Sequence, residues 1–222
     1  MVAKIAWGKQ VVVFSVETRP GIFVLAQAAS KEPFVYFLNA FVDCGKGNAP
    51  SWADDAAADA EVLFCVSVTA QFFKKSNVKM LPGVRPLAGL AIPDTWIHAS
   101  PNMIKRKVAL GTSFERDLCL PSGAALVKKN VADHAGGPFK HASGVFDEVI
   151  VPHLEPAAED IAGRFEMTSL GTYPLLNERL YLCYSAGRCV SPYADIILNR
   201  PIPESYGTFV DIIAGVKPEG IY

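Results

Sequence analysis

The sequence predicts an α+β fold, strand-rich and mainly antiparallel, with a barrel-like N-terminal half and few short helices. Three observations predict it. Runs of β-branched and aromatic residues lie at 11–16, 22–29 and 33–42, separated by short turns. Half of the 222 residues are hydrophobic and only 19% are charged, which suits a packed core and excludes a disordered chain or a coiled coil. Pro82, Pro86, Pro93 and Pro101 punctuate 78–101, so no regular helix runs through that stretch.

The first two runs flank Glu17-Thr18-Arg19-Pro20-Gly21, and Pro-Gly is a strong turn signal, so they form a hairpin. The third run follows closely, and three such strands begin a curved antiparallel sheet or small barrel. Residues 43–50 carry loop chemistry. Residues 51–60 are Ala-rich with acids near the start. Ser51 with Asp54 three residues on is an Asp version of the capping box and predicts a short helix.

Residues 61–69 read as a strand and 74–77 as a polar turn. Residues 105–110 and 118–127 read as short strands or irregular segments. The polar stretch 128–144, with Gly136-Gly137-Pro138, reads as a long loop. Beyond it, 146–151 reads as a strand. Residues 156–165 read as a helix, with Pro156 in the first turn and Glu159 and Asp160 at the favourable end of its dipole. Then come a strand at 180–184, a strand or helix at 193–198, and an element at 206–214 ending at Gly215. A single domain over 1–222 is expected, because strands at 146–151 and 180–184 can complete a sheet begun earlier. The alternative is a β-rich 1–127 followed by an α+β 145–222.

Charge narrows the partners. With 21 basic and 22 acidic residues the formal charge is -1, so the broad basic field behind nonspecific nucleic-acid binding is missing and no nucleic acid is expected. No apolar run approaches the roughly 18 residues of a membrane span. Lys9 and Gln10 interrupt any signal-peptide core, so no membrane partner and a cytoplasmic location are expected. Cys44, Cys65, Cys119, Cys183 and Cys189 are odd in number and form no Cys-x-x-Cys pair, which argues against zinc and for a reducing compartment. Cys65 and Cys183 lie in apolar runs and read as core thiols in strands.

Catalytic patterns are scarce. Of His98, His134, His141 and His153, His134 and His141 are separated by a Gly-Gly-Pro break, and with Asp147 they make a conceivable loop metal site; surface loop histidines are the plainer reading of that site. Cys189 follows Gly187-Arg188, and a neighbouring arginine lowers a thiol pKa, which makes Cys189 the nucleophile of an enzyme reading. Gly45-Lys46-Gly47 lacks the phosphate-loop pattern, and neither a Gly-x-Ser-x-Gly elbow nor a dinucleotide fingerprint is present. Asp147 and Glu148 are adjacent, so on a strand they point to opposite faces. No catalytic residue, metal ligand or cofactor is assigned, and the chain leans away from an enzyme.

The acidic segment differs in kind. Asp54, Asp55, Asp59 and Glu61 fall within eight residues, with no Lys or Arg between Asn48 and Gln71. Such a cluster is either a solvated face or an electrostatic contact for a basic partner. Trp52 beside it suits an aromatic anchor and equally suits a core position.

The order of features in the N-terminal half resembles a family of bacterial immunity proteins from polymorphic toxin systems, the one numbered twenty-six. The features are 9–14, the Pro20-Gly21 turn, 23–28, the aromatic run 34–41, the strand 62–68, and 75–86 followed by Leu87 and Pro93. The resemblance spans about residues 4–100. It implies a cytoplasmic inhibitor that binds and neutralises a cognate toxin, often a nuclease. Such toxins tend to be basic, which would give the acidic segment a purpose. Two other readings stay open: an enzyme of unrecognised type, and a structural or assembly subunit such as a viral shell protein, with 191–206 as an extended arm.

Overall fold

The computed structural model describes residues 11–28, 34–111, 114–129, 146–155 and 159–222. In chain order the strands are β1 (Val12–Arg19), β2 (Ile22–Ala28), β3 (Phe34–Asp43), β4 (Val62–Val68), β5 (Val78–Met80), β6 (Thr95–Ala99), β7 (Met103–Leu110), β8 (Phe114–Pro121), β9 (Ala124–Lys128), β10 (Glu148–Val151) and β11 (Leu170–Gly171). The helices are α1 (Ala70–Lys75), α2 (Glu159–Arg164), α3 (Leu175–Ala186), α4 (Pro192–Ile197) and α5 (Gly207–Ile213), with a 3-10 turn at Glu204–Tyr206. The fold is α+β, strand-rich and mainly antiparallel, with few short helices.

The chain forms two compact units that interleave in sequence. The first holds Met1–Ile92, Leu170–Cys189 and Ile221–Tyr222; the second holds Pro93–Ser169 and Val190–Gly220. The division falls at Ile92, earlier than the stretch 128–144 where the sequence suggests a cut, and the chain returns to each unit after leaving it. Residues 130–145 lie outside the described residues, so the long loop expected there is not located.

The first unit is a six-stranded sheet in the order β11-β4-β3-β2-β1-β5, curled into a half-barrel. Its pairings are antiparallel except that of β11 with β4. Phe34–Leu38 of β3 and Phe64–Val68 of β4 are buried at every position, as expected of strands covered on both faces. Phe37 packs on Phe64 at 5.2 Å and edge-on to Phe72 of α1 at 6.2 Å. The hairpin turns where Pro20-Gly21 predicts. Gly21 has φ +88, and a Cβ there would stand 2.4 Å from the Gly45 carbonyl carbon, so the loop after β3 closes directly on this turn. Gln27 holds the proline-rich segment by accepting from the Leu87 N–H at 2.8 Å and donating to its carbonyl at 2.9 Å.

The second unit combines a three-stranded antiparallel sheet, β10-β9-β6, with the β7-β8 hairpin. Ile97, Leu126, Leu154 and Met167 join Ala194, Ile197 and Leu198 of the α4 region in one core.

Four expectations are corrected. Residues 180–184 are the middle of helix α3, because Leu176, Leu180 and Cys183 are buried at helical spacing and Gly187 caps the helix at φ 62. Cys183 is therefore a core thiol of a helix. The segment 191–206 is no extended arm: it carries α4, whose Ala194, Ile196 and Ile197 are buried. Lys74 and Lys75 close helix α1, which Thr69 caps by accepting from the Phe72 N–H, so the polar turn begins only at Ser76. Residues 51–60 form turns rather than a capped helix, since ten residues cannot offset helix nucleation without a packed face, and among them only Ala57 is buried.

Candidate functional site

The candidate surface is the loop between β3 and β4. Its first half is fixed by short-range polar chemistry. Asp43 accepts from the Gly45 N–H at 3.1 Å, and Asn48 Nδ2 donates to the Cys44 carbonyl at 2.7 Å. Its second half is a series of turns with one i to i−4 bond, from the Asp59 N–H to the Asp55 carbonyl at 3.1 Å. Two anchors hold the turns down. Ala57 is completely buried, and the Asp54 carbonyl accepts from the Arg85 N–H at 2.6 Å. The loop closes where the Asn39 N–H meets the Glu61 carbonyl at 2.7 Å.

On this frame Asp54, Asp55, Asp59 and Glu61 are all exposed. Among the described residues none of the four carboxylates makes an ion pair or a side-chain hydrogen bond. Arg85 is tied to Asp54 through its backbone alone. Trp52 is half-buried, and its Nε1–H is shielded from water without an acceptor. The structure thus keeps the five sequence-selected residues within one short loop.

The residues of the enzyme reading are arranged differently from expectation. Arg188 reaches the Cys189 carbonyl at 3.4 Å, while Arg179 faces the thiol, Nη2 to Sγ 3.8 Å. Arg179 is itself stacked on Phe64, 3.7 Å from the ring centroid. His134 and His141 lie outside the described residues. His153 is exposed, and among the described residues no three of His, Cys, Asp and Glu gather as a metal-binding group. No helix among them is long and apolar enough to cross a membrane.

Two polar clusters escaped the sequence reading because their members are far apart in the chain. In the first unit Glu178 is fully buried on α3. Arg19 donates to it through Nη2 at 2.7 and 2.9 Å and Nε at 3.1 Å, and the Tyr222 hydroxyl donates at 2.5 Å. Burial opposes the Arg19 charge, but the Glu178 contact outweighs it and holds Arg19 above its ordinary value. Burial and then the Glu178 charge push the Tyr222 phenol up. In the second unit His98 bonds Thr168 Oγ1 at 2.9 Å and packs on Phe146 at 5.4 Å. Burial, then the Lys129 charge, lower its pKa. Lys129 is itself buried, with Asp147 as the carboxylate that opposes its loss of charge. Only the buried charges Glu178 and Lys129 mark these clusters, and a sequence does not display burial.

Comparison with protein-family models, curated proteins and solved structures finds no match to this chain.

Proposed function

We propose that this chain is a non-catalytic binding protein, an immunity-type inhibitor that neutralises a cognate bacterial toxin by direct contact in the cytoplasm. The observation that supports the reading is the 50–61 loop, where four exposed carboxylates have no cationic partner among the described residues and lie beside a half-exposed indole. Unpaired surface charge on a nearly neutral protein costs little in the free state and steers a partner of opposite charge. The half-exposed Trp52 indole adds apolar area, as an interface anchor does. The partner is accordingly a basic protein, and nuclease toxins have that character.

The test is capture on the tagged full chain in its host at low salt, followed by a salt step. A stoichiometric basic protein should be retained and released as salt rises, and the chain should block that protein's activity. Asp54→Asn, Asp55→Asn and Asp59→Asn together should weaken binding roughly tenfold or more at low salt and much less at high salt. Trp52→Ala should cost about 2 kcal/mol of affinity. Equal affinity of the triple variant at low salt would remove the loop from the interface. A chain that elutes alone, with no retained partner, would remove the inhibitor reading itself.

A further inference from the structure

The second unit contains a cavity of about 360 Å³ that the acidic loop does not involve. Its volume falls within the range of small-molecule pockets. One wall is the β7 edge, 107–109 with Gly111, and the other is Ile196 with 199–202. The walls touch at one point, where Leu110 bridges Ile202 in parallel and the Gly111 N–H donates to the Ile202 carbonyl at 3.1 Å. Among the described residues no further bridge joins them, so the cavity opens where the two segments part.

The pairing of β7 with β8 fixes which main-chain groups face that gap. In an antiparallel pair, opposed residues alternate between exchanging both main-chain bonds and exchanging none. Met103 stands opposite Pro121, which has no N–H to give, so that pair exchanges none. One residue earlier, the Asn102 carbonyl accepts from the Ser122 N–H at 2.8 Å, as the alternation requires. Residues 103, 105, 107 and 109 therefore turn their main-chain groups away from β8. Gly111 keeps the same alternation by reaching Ile202. The N–H and carbonyl of Lys107 thus point to the side of the gap, and among the described residues neither has a partner.

The charges beside the cavity are already matched. Lys107 Nζ meets Glu115 at 3.2 Å, and Asp117 stands directly across the hairpin from Lys107. Arg200 Nη1 meets Asp195 at 3.2 Å. What the site leaves open is a main-chain donor and acceptor side by side, next to apolar surface from Val108, Ile196 and Ile202. A neutral ligand with its own N–H and C=O completes that arrangement.

We infer that this cavity binds a small neutral amide built like one amino-acid residue, whose N–H and C=O exchange bonds with Lys107 while its side chain lies on Val108, Ile196 and Ile202. This is strand addition on the scale of a single residue. The probe is N-acetyl-leucine N-methylamide. Its control carries a methyl group on the leucine nitrogen, which removes the donor. Each is titrated into the full chain labelled with nitrogen-15.

The probe should saturate with a dissociation constant of about 1 mM, the value expected of a ligand of its size. Its shifts should be confined to amides of 107–111 and 196–202, with the Lys107 amide proton moving most. Raising the salt from about 20 to about 500 mM should change the constant less than about twofold, because the ligand carries no charge. The control should bind about tenfold more weakly, since it leaves the Lys107 carbonyl unpaired. Lys107→Pro deletes the donor facing the gap and no bond of the β7-β8 ladder, so that chain should stay folded and lose the shifts. The assignment is overturned by the absence of saturation up to about 10 mM, by a control that binds as the probe does, or by a constant that salt weakens about tenfold. It is equally overturned by a folded Lys107→Pro chain that binds the probe as the parent does. Should that variant not fold, the comparison of probe with control decides alone.

Discussion

At the scale of single residues, buried charge decides the largest effects. Glu178 is fully buried, and its charge is tolerated because Arg19 forks onto it and Tyr222 supplies a further donor. Arg19→Met would leave the carboxylate without its counter-ion. It should destabilise the protein by about 3 kcal/mol, read as a lowered denaturant midpoint. Tyr222→Phe removes one donor and keeps the ion pair, so about 1 kcal/mol is expected. His98 gives the pH dependence its sign. Its folded pKa lies below the ordinary 6.5 because burial and Lys129 disfavour the imidazolium. The unfolded chain thus binds the proton more readily, so stability holds above pH 6.5 and falls as the pH drops through the His98 window. His98→Gln should flatten that part of the curve of stability against pH, and an unchanged slope would assign it to other groups.

At the scale of elements, turn glycines separate two physical causes that look alike in the sequence. Gly187 ends α3 at φ 62 with nothing within 4 Å of where a Cβ would stand, so Gly187→Ala meets only the left-handed backbone penalty, about 1 kcal/mol. Gly21 combines φ +88 with a Cβ position 2.4 Å from Gly45, so Gly21→Ala should cost clearly more and displace the loop after β3. Thermal unfolding of the two variants should rank them in that order. Elements with a strong local signal were legible: the Pro20-Gly21 hairpin, the apolar run of β4 and the strand that becomes β10 all lie where composition and turn chemistry put them. Helix α3 was not. Its aromatic and leucine-rich centre has strand composition in a five-residue window, while the helical spacing of Leu176, Leu180 and Cys183 shows only over the whole segment. The acidic loop was legible as a charge cluster, but its turn conformation depends on the Ala57 and Arg85 contacts, which are tertiary.

At the scale of the whole molecule, the path of the chain could not be read locally, because a return to an earlier unit leaves no mark at the point of departure. That path has a mechanical consequence for the first unit. Residues 1–92 contain β1 to β5 and α1, which by sequence resemble a finished half-barrel. The sheet is nevertheless completed by β11, which adds to the β4 edge in parallel, Leu170 opposite Ser67. Thr69, the cap of α1, donates its N–H to the Gly171 carbonyl at 3.1 Å. Helix α3 brings Glu178 to Arg19, Asn177 to Ser76 at 3.0 Å and Asn177 to the Glu17 carbonyl at 2.8 Å. A fragment ending at Ile92 would lose all of these partners and uncover the apolar β4 edge, an invitation to edge-to-edge association. Expressed alone, 1–92 should lack dispersed amide resonances and aggregate at micromolar concentration. If it instead folds as a monomer with a cooperative transition, then β11 and α3 are accessories to a unit that residues 1–92 already specify.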